Sequence, residues 1–297
     1  MTSAQTILLT GPNGQVGFEL MRTLQGLGRV IALDRNALDL SDVSQIRRVA
    51  RELKPAVIVN PAAYTAVDQA EEEVAQAMQI NAEAPAALAE EAKRLNAVLI
   101  HYSTDYVFDG AKEGAYMEDD APNPRSVYGR SKWMGERAIA EACGAHLILR
   151  TSWVYGRRGK NFLLTMRRLA AERSELHIVD DQIGAPTWAV TIAALTAQIV
   201  AQGVAASRSD EGWWMRRSGI YHLSAAGATS WYGFARAIFE CAPPARTPRL
   251  VPINTEQYPR PAKRPAHSRL CTDKLAHTFG LHPPGWRAAL QLCLAAD

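Results

Sequence analysis

Short apolar runs rich in β-branched residues alternate with longer helical patterns from Thr6 to Arg150, and this alternation constrains the fold more than any other feature. The strands read as Thr6 to Leu9, Val30 to Leu33, Val57 to Asn60, Val98 to Ser103 and His146 to Arg150. Helical patterns fill the intervals: Gln15 to Gln25, Val43 to Leu53, Glu71 to Asn96 with a break near Pro85, and Tyr128 to about Ala142. The strands are apolar on both faces, so helices must cover both sides of the sheet. The expected class is α/β, a Rossmann-type doubly wound parallel sheet.

Beyond Trp153 the alternation loosens. The pattern supports a helix over Asn161 to Glu172, a strand over Leu176 to Val179, a helix over Trp188 to Gln202, a strand over Tyr221 to Ser224 and a helix over Trp231 to Glu240. Between Pro243 and Pro265 prolines recur among Arg246, Arg249, Arg260, Lys263 and Arg264. That mixture excludes a helix interior and reads as an ordered cover or a lid. No low-complexity linker separates the halves. The expected division is a Rossmann unit over residues 1–153 plus about 177–224, and a smaller α/β unit built from the discontinuous segments 154–176 and 225–297.

Composition narrows the function classes. The chain has 297 residues, a formal charge of +3 and no dense Lys/Arg block, so nucleic acid is not the expected partner. Cys143, Cys241, Cys271 and Cys293 form no Cys-x-x-Cys pair and read as incidental thiols in a reducing compartment. Met1 to Gln5 lacks the marks of a cleaved leader, and the expected location is cytoplasmic. No charged residue falls between Asp181 and Arg208, yet Gly184, Pro186, Gln198, Gln202, Gly203 and several Thr make poor hydrocarbon material. A buried helix is expected there, and no membrane span. The histidines lack metal-ligand spacing, and no Gly-x-Ser-x-Gly elbow offers acyl transfer.

Gly11-Pro12-Asn13-Gly14-Gln15-Val16-Gly17 follows the first strand and opens the first helix. Glycines there permit a tight turn and let backbone N–H groups approach a pyrophosphate at the positive end of the helix, which points to dinucleotide binding. Asp34 ends the second strand, where an acid binds the adenosine ribose; Arg35 beside it suits a 2′-phosphate. The first signal favours NADH and the second NADPH, so cofactor use reads as dual or undecided, with a solvated Asp-Arg turn as the alternative. Asp39 and Leu40 could lie against the adenine, with Asp39 equally suited to a turn. Asn60 to Thr65, including Ala62, Ala63 and Tyr64, leaves the third strand at its C-terminal end and is a candidate for the middle of the cofactor.

Tyr128 and Lys132 are spaced i and i+4, which puts a phenol and an ammonium on one helix face. A neighbouring cation favours the phenolate and brings tyrosine toward the range useful for proton transfer. Thr104, at the end of a predicted strand, could orient a substrate oxygen toward that phenol.

These motifs, together with His101 to Phe108, Arg150 to Tyr155, Asp181 to Thr187, Arg264-Pro265 and Ser268 to Leu270, resemble the extended short-chain dehydrogenases over nearly the whole chain. Within them the chain is most similar to the branch that reduces the 4-keto group of dTDP-4-dehydro-L-rhamnose to dTDP-L-rhamnose. The resemblance implies that Tyr128 protonates the nascent alkoxide, and that Lys132 holds the nicotinamide ribose and lowers the Tyr128 pKa. Thr104 would orient the sugar oxygen. Tyr102 and Ala63 to Thr65 match cofactor positions; Asp105, Trp153, Gln182 and Arg269 match substrate positions. The smaller unit would then bind the nucleotide sugar, and the basic proline-rich segment would cover its diphosphate.

The chain departs from some relatives in the residues that bridge a magnesium ion between subunits. Glu19 matches one such glutamate, but Val190 and Ala296 stand where the others are expected, so a homodimer would not be metal-bridged. Asp210 to Arg217 reads as a loop insertion whose Trp213-Trp214 pair serves a contact surface or packs back on the same molecule. Two rivals share the scaffold. A 4,6-dehydratase or epimerase keeps the Tyr/Lys pair, but a dehydratase needs Glu after Asp105, where Tyr106 stands. A non-catalytic regulatory subunit, of the kind that binds methionine adenosyltransferase, has no need of Thr104, Tyr128 and Lys132 together.

Overall fold

The structure is a computed structural model, described here for residues 5–142 and 144–295. Cys143, Ala296 and the first four residues of the N-terminal reading lie outside the described residues.

In chain order the elements are β1 (Thr6–Thr10), α1 (Gln15–Thr23), β2 (Arg29–Leu33), α2 (Val43–Leu53), β3 (Val57–Asn60), α3 (Val74–Met78), α4 (Ala84–Arg94), β4 (Val98–Thr104), α5 (Val127–Glu141) and β5 (His146–Thr151). There follow β6 (Val154–Tyr155), α6 (Phe162–Glu172), β7 (Glu175–Val179), β8 (Ile183–Gly184), β9 (Thr187–Trp188), α7 (Ala189–Ala206), α8 (Trp213–Arg216) and β10 (Gly219–His222). The chain closes with β11 (Thr229–Ser230), α9 (Trp231–Cys241), β12 (Arg249–Ile253), α10 (Asp273–Phe279) and α11 (Trp286–Ala295).

Six parallel strands form the central sheet in the order β10-β5-β4-β3-β1-β2. Its strands are buried on both faces, as their unbroken apolar runs require. Ile7, Leu9, Val59, Ile100 and Leu149 face one core with α1 and α7; Leu8, Ile58, Leu99 and Ile148 face the other with α2 and α4. The strand order reverses beside β1, and crevices at such a point, at the carboxyl ends of the strands, bind ligands.

Between α3 and α4 the chain does not break at Pro85. A π turn over Gln79–Glu83 joins the two helices, and Pro85 sits in the first turn of α4, where its missing N–H costs nothing. Helix α7 is long and apolar enough to cross a membrane by composition alone, but half of it is buried in the protein. It lies along α1, where the Thr23 hydroxyl donates to the Ala193 carbonyl at 3.2 Å.

A second, smaller core gathers Tyr155, Leu163, Met166, Ile178, Phe234, Ile238, Leu290 and Cys293 from β6, α6, β7, α9 and α11. Strand β7 belongs to this core and pairs in parallel with β12. The proline-rich segment therefore contains a strand that its composition hid: Pro252 faces Ile178 in a two-stranded sheet, where edge positions tolerate a missing donor. Trp213 packs back on its own molecule, 6.1 Å from Phe279 between ring centroids, and Trp214 packs against the same core.

Candidate active site

The glycine turn is built by close approach. Gly11 has φ of +55°, and a Cβ on Gly17 would stand 2.1 Å from the Gly11 carbonyl oxygen, so α1 starts pressed against the loop as only glycine permits. Gly14 is the N-cap of α1 and no side chain caps that first turn. The first amides of α1, at Gln15, Val16 and Gly17, are left available at the positive end of the helix, with Asn13 and Gly14 exposed beside them.

Asp34 uses Oδ1 to accept from the amides of Asn36 and Ala37 at 3.0 and 3.1 Å, while Arg35 stands exposed beside it. Asp39 is a turn residue: Ser41 donates to it from amide and hydroxyl at 2.9 and 2.8 Å, which holds its carboxyl below the usual range. Leu40 is buried in the core under this turn.

The loop Ala62, Ala63, Tyr64 and Thr65 is held by a residue the sequence pattern did not single out. Asn81, in the π turn, accepts from the Tyr64 amide at 2.9 Å and donates to the Tyr64 carbonyl and the Ser131 hydroxyl, both at 3.0 Å. A Cβ on Gly135 would stand 2.1 Å from the Asn81 carbonyl oxygen, so α5 also passes this turn in close contact. The signal in the sequence was an Asn inside a helical run, where it serves no helix. Tyr64 donates its hydroxyl to Glu73 at 2.8 Å, and burial with that contact pushes its pKa up to about 12. Tyr102 does not join this group through its side chain. Its ring lies in the core beneath α7, and its hydroxyl pairs with Thr196 at 2.7 Å.

Thr104, Tyr128 and Lys132 are brought together at the end of β4. Ser126 caps α5 by accepting from the Gly129 amide at 3.1 Å, and Glu71 accepts from the Val127 amide at 2.8 Å, so the helix start is fixed from two sides. Thr104 is buried, donates to Asp105 Oδ1 at 3.1 Å, and its hydroxyl lies close enough to the Tyr128 phenol to oppose the rise in that group's pKa. Burial nonetheless pushes Tyr128 up to about 12. The expected lowering of Tyr128 by Lys132 is absent in the protein alone. The Lys132 amine is turned instead to His101 Nε2 at 3.0 Å, and burial drives its own pKa down to about 7, against a smaller upward pull from Glu136.

Asp105 is buried with Oδ2 unpartnered, and burial raises its pKa to about 6. The Ser268 hydroxyl lies close enough to lower that value, although the two make no well-aligned hydrogen bond. Trp153 has φ of +46°, costly for a bulky residue, and stacks face to face on Trp231 with centroids 3.5 Å apart. Trp231 donates to Gln182 at 3.2 Å, and Gln182 donates to Thr255 at 3.1 Å. Arg269 is not brought to this group: it is exposed, and only its carbonyl is engaged, accepting from the Tyr116 amide.

A cleft of about 1170 Å³ lies between α6, β7 and the proline-rich segment, lined by Arg173, Gln182, Trp231, Tyr258, Lys263 and Arg264 among others. None of Thr104, Tyr128 and Lys132 lines it. It meets their neighbourhood through Trp231, stacked on Trp153, and through Arg264, whose charge is felt by Tyr106, itself 5.5 Å edge-on from Tyr128. Arg264 is clamped by Asp68 at 3.0 and 2.9 Å, which ties the proline-rich segment to the loop after β3. Among the described residues no three metal-ligating side chains converge.

Residues 5–297 match the family model described as the RmlD substrate binding domain. The chain belongs to this family. It is 48% identical over 294 residues, 97% of both chains, to the dTDP-4-dehydrorhamnose reductase of Burkholderia thailandensis. It is 44% identical over 296 residues to the enzyme of that name from Escherichia coli K12, covering 97% of this chain and 96% of that one. The crystal structure of the Bacillus anthracis dTDP-4-dehydrorhamnose reductase in complex with NADP superposes with a TM-score of 0.90 at 34% identity, covering 99% of this chain and 100% of that one. In this RmlD family member the glycine turn after β1 and Thr104 at the end of β4 stand at the carboxyl end of the parallel sheet.

Proposed function

We propose that this protein reduces the 4-keto group of dTDP-4-dehydro-L-rhamnose to dTDP-L-rhamnose, with NADPH or NADH as hydride source. The observation that carries this reading is the Thr104 and Tyr128 hydroxyl pair at the carboxyl end of the central sheet, with Lys132 one helical turn along α5. The residues fit a nicotinamide dinucleotide. The uncapped start of α1 suits its pyrophosphate, the remaining oxygen of Asp34 a ribose hydroxyl, exposed Arg35 a 2′-phosphate, and Tyr128 with Lys132 the nicotinamide end. When bound, that cofactor supplies the hydride.

The chain's own residues supply position and a proton. With its pKa near 12, Tyr128 carries its proton at neutral pH and gives it to the sugar oxygen that gains charge. Thr104 holds that oxygen in line with the phenol. Asp105 is largely ionised at pH 7 and offers Oδ2 to a sugar hydroxyl. Arg173, Lys263 and Arg264 in the cleft suit the diphosphate. Tyr106, packed edge-on against Tyr128, fills the place where elimination would need a carboxylate, and this favours simple reduction.

On this reading the central sheet with α1, α2, α4 and α7 holds the cofactor, and the second core holds the nucleotide sugar. The protein acts in the cytoplasm on a small molecule, without nucleic acid or membrane, and any homodimer is not bridged by metal. The test is one assay: purified protein, dTDP-4-dehydrorhamnose and NADPH or NADH, with loss of nicotinamide absorbance followed. No turnover with either cofactor refutes the proposal.

A further inference from the structure

We propose that His101 is the positioning residue for Lys132: its neutral ring accepts, at Nε2, a hydrogen bond from the Lys132 ammonium and, backed by Asn60 and Thr10, fixes where that charge stands on the Tyr128 side of α5. The proposal rests on the reading above only in taking Lys132 to serve the nicotinamide end of the site.

A line of buried polar groups runs across three neighbouring strands into α5. Lys132 Nζ lies 3.0 Å from His101 Nε2, His101 Nδ1 lies 3.0 Å from the Asn60 amide, and the Thr10 hydroxyl lies 2.6 Å from the other side of that amide. Lys132 is 2% exposed and none of the other three exceeds 1%, so water does not compete for these bonds. Among the described residues His101 is the only hydrogen-bond partner of the Lys132 amine. The nearest carboxylate on α5, Glu136, is already held by Arg150 of β5 at 2.9 and 2.6 Å. Among the described residues the charge felt by His101 is that of Lys132 and the charge felt by Lys132 is that of Glu136; β1 and β3 bring only the neutral Thr10 and Asn60 to the line. Burial and the Lys132 charge keep His101 well below its ordinary pKa, so the ring stays neutral and remains an acceptor.

The line can run in two directions. If Asn60 offers Nδ2 to His101 and Oδ1 to Thr10, His101 carries its proton on Nε2, and Lys132 must be a neutral amine that accepts it. Exchanging the oxygen and nitrogen of the Asn60 amide leaves every distance unchanged and reverses the line. Lys132 then donates to Nε2, Nδ1–H donates to Asn60, and Asn60 donates to Thr10. An ammonium has no lone pair and fits only the second direction; a neutral amine can donate and fits it too. The second direction therefore serves Lys132 in both protonation states without rearrangement, and His101 stabilises the charged one.

Two measurements test this. In the wild-type protein labelled with ¹⁵N-histidine, the His101 signal, assigned by its loss in His101→Gln, should show a neutral ring with Nδ1 protonated and Nε2 bare from pH 6 to 9. A ring protonated on Nε2 overturns the proposal whatever the enzyme turns over. NADPH binding by quenching of tryptophan fluorescence, as a function of pH, supplies the second readout. His101→Leu should bind roughly tenfold to a hundredfold more weakly at pH 8, the loss expected for one hydrogen bond to a charged group, and its affinity should fall at a pH about one unit lower. His101→Gln keeps an acceptor for Lys132 and should follow the wild-type pH dependence. A leucine variant with unchanged pH dependence overturns the proposal. Wild-type protein with the expected tautomer but no reductase activity would instead refute only the reading of function.

Discussion

Replacing Glu136 by Gln would remove one charge from a deeply buried ion pair while nearly preserving its shape. Arg150 donates to Glu136 from Nε and Nη2 at 2.9 and 2.6 Å, and the two side chains are 1% and 3% exposed. Among the described residues the guanidinium's one further hydrogen-bond partner is the Glu118 carbonyl, a long contact of 3.5 Å, and one face looks at the Phe108 ring from 5.0 Å. Removing one partner of such a pair leaves an uncompensated charge in the core, at a cost of about 3–5 kcal/mol. Glutamine keeps one acceptor, so the lower end, about 3 kcal/mol, is expected. The measurement is urea unfolding with the midpoint compared at constant slope. Glu136→Leu combined with Arg150→Met should recover most of the loss, because no charge is then stranded. A single variant that costs less than about 1 kcal/mol, or a double variant as unstable as the single one, would refute the argument from charge burial.

Three further outcomes follow from the site. Tyr128→Phe should fold and bind NADPH yet lose about 10²–10⁴-fold in kcat, since the fold does not depend on the phenol and the reduction needs its proton; wild-type turnover would remove Tyr128 from the donor role. Lys132→Met should raise stability. With a folded pKa near 7 against 10.5 unfolded, the unfolded state binds more protons between those values, so the advantage of Met is full below pH 7 and shrinks as pH rises toward 10.5; urea unfolding at pH 6.5 and 9.5 checks the sign. Asp105 protonates near pH 6, so KM for the sugar nucleotide should fall as pH rises through 6 and stay flat in Asp105→Asn. A wild-type KM that ignores this range would show that the carboxylate does not touch the sugar.

The parts of the molecule that sequence made legible are those where local chemistry and fold agree. The apolar runs from Thr6 to Arg150 became the parallel sheet because a strand buried on both faces has no polar position to spare. Gly11 and Gly17 were readable because a Cβ on Gly17 would collide with the turn and one on Gly11, which has a positive φ, would collide with Ala62. What escaped notice depended on partners distant in sequence. The Arg249–Ile253 strand is defined by its pairing with β7, more than seventy residues earlier, and its prolines argued for a loop. Asn81 and His101 look like ordinary polar interruptions until the π turn and the register of β3 with β4 place them beside Ser131 and Lys132. The i, i+4 spacing of Tyr128 and Lys132 correctly put them on one face, but it could not show that a buried histidine competes for the amine.

That competition bears on the direction of the chemistry. A phenol near pKa 12 is almost wholly protonated at neutral pH, and so is ill suited to take a proton from an alcohol. As a donor it needs no activation. An alkoxide is far more basic than a phenolate, so the proton moves downhill from Tyr128. Reduction of a ketone therefore does not require Lys132 to lower the Tyr128 pKa, whereas oxidation of the product would. On the proposed reading Lys132, its amine held by His101, is free of that task in this direction and serves the nicotinamide end of the site.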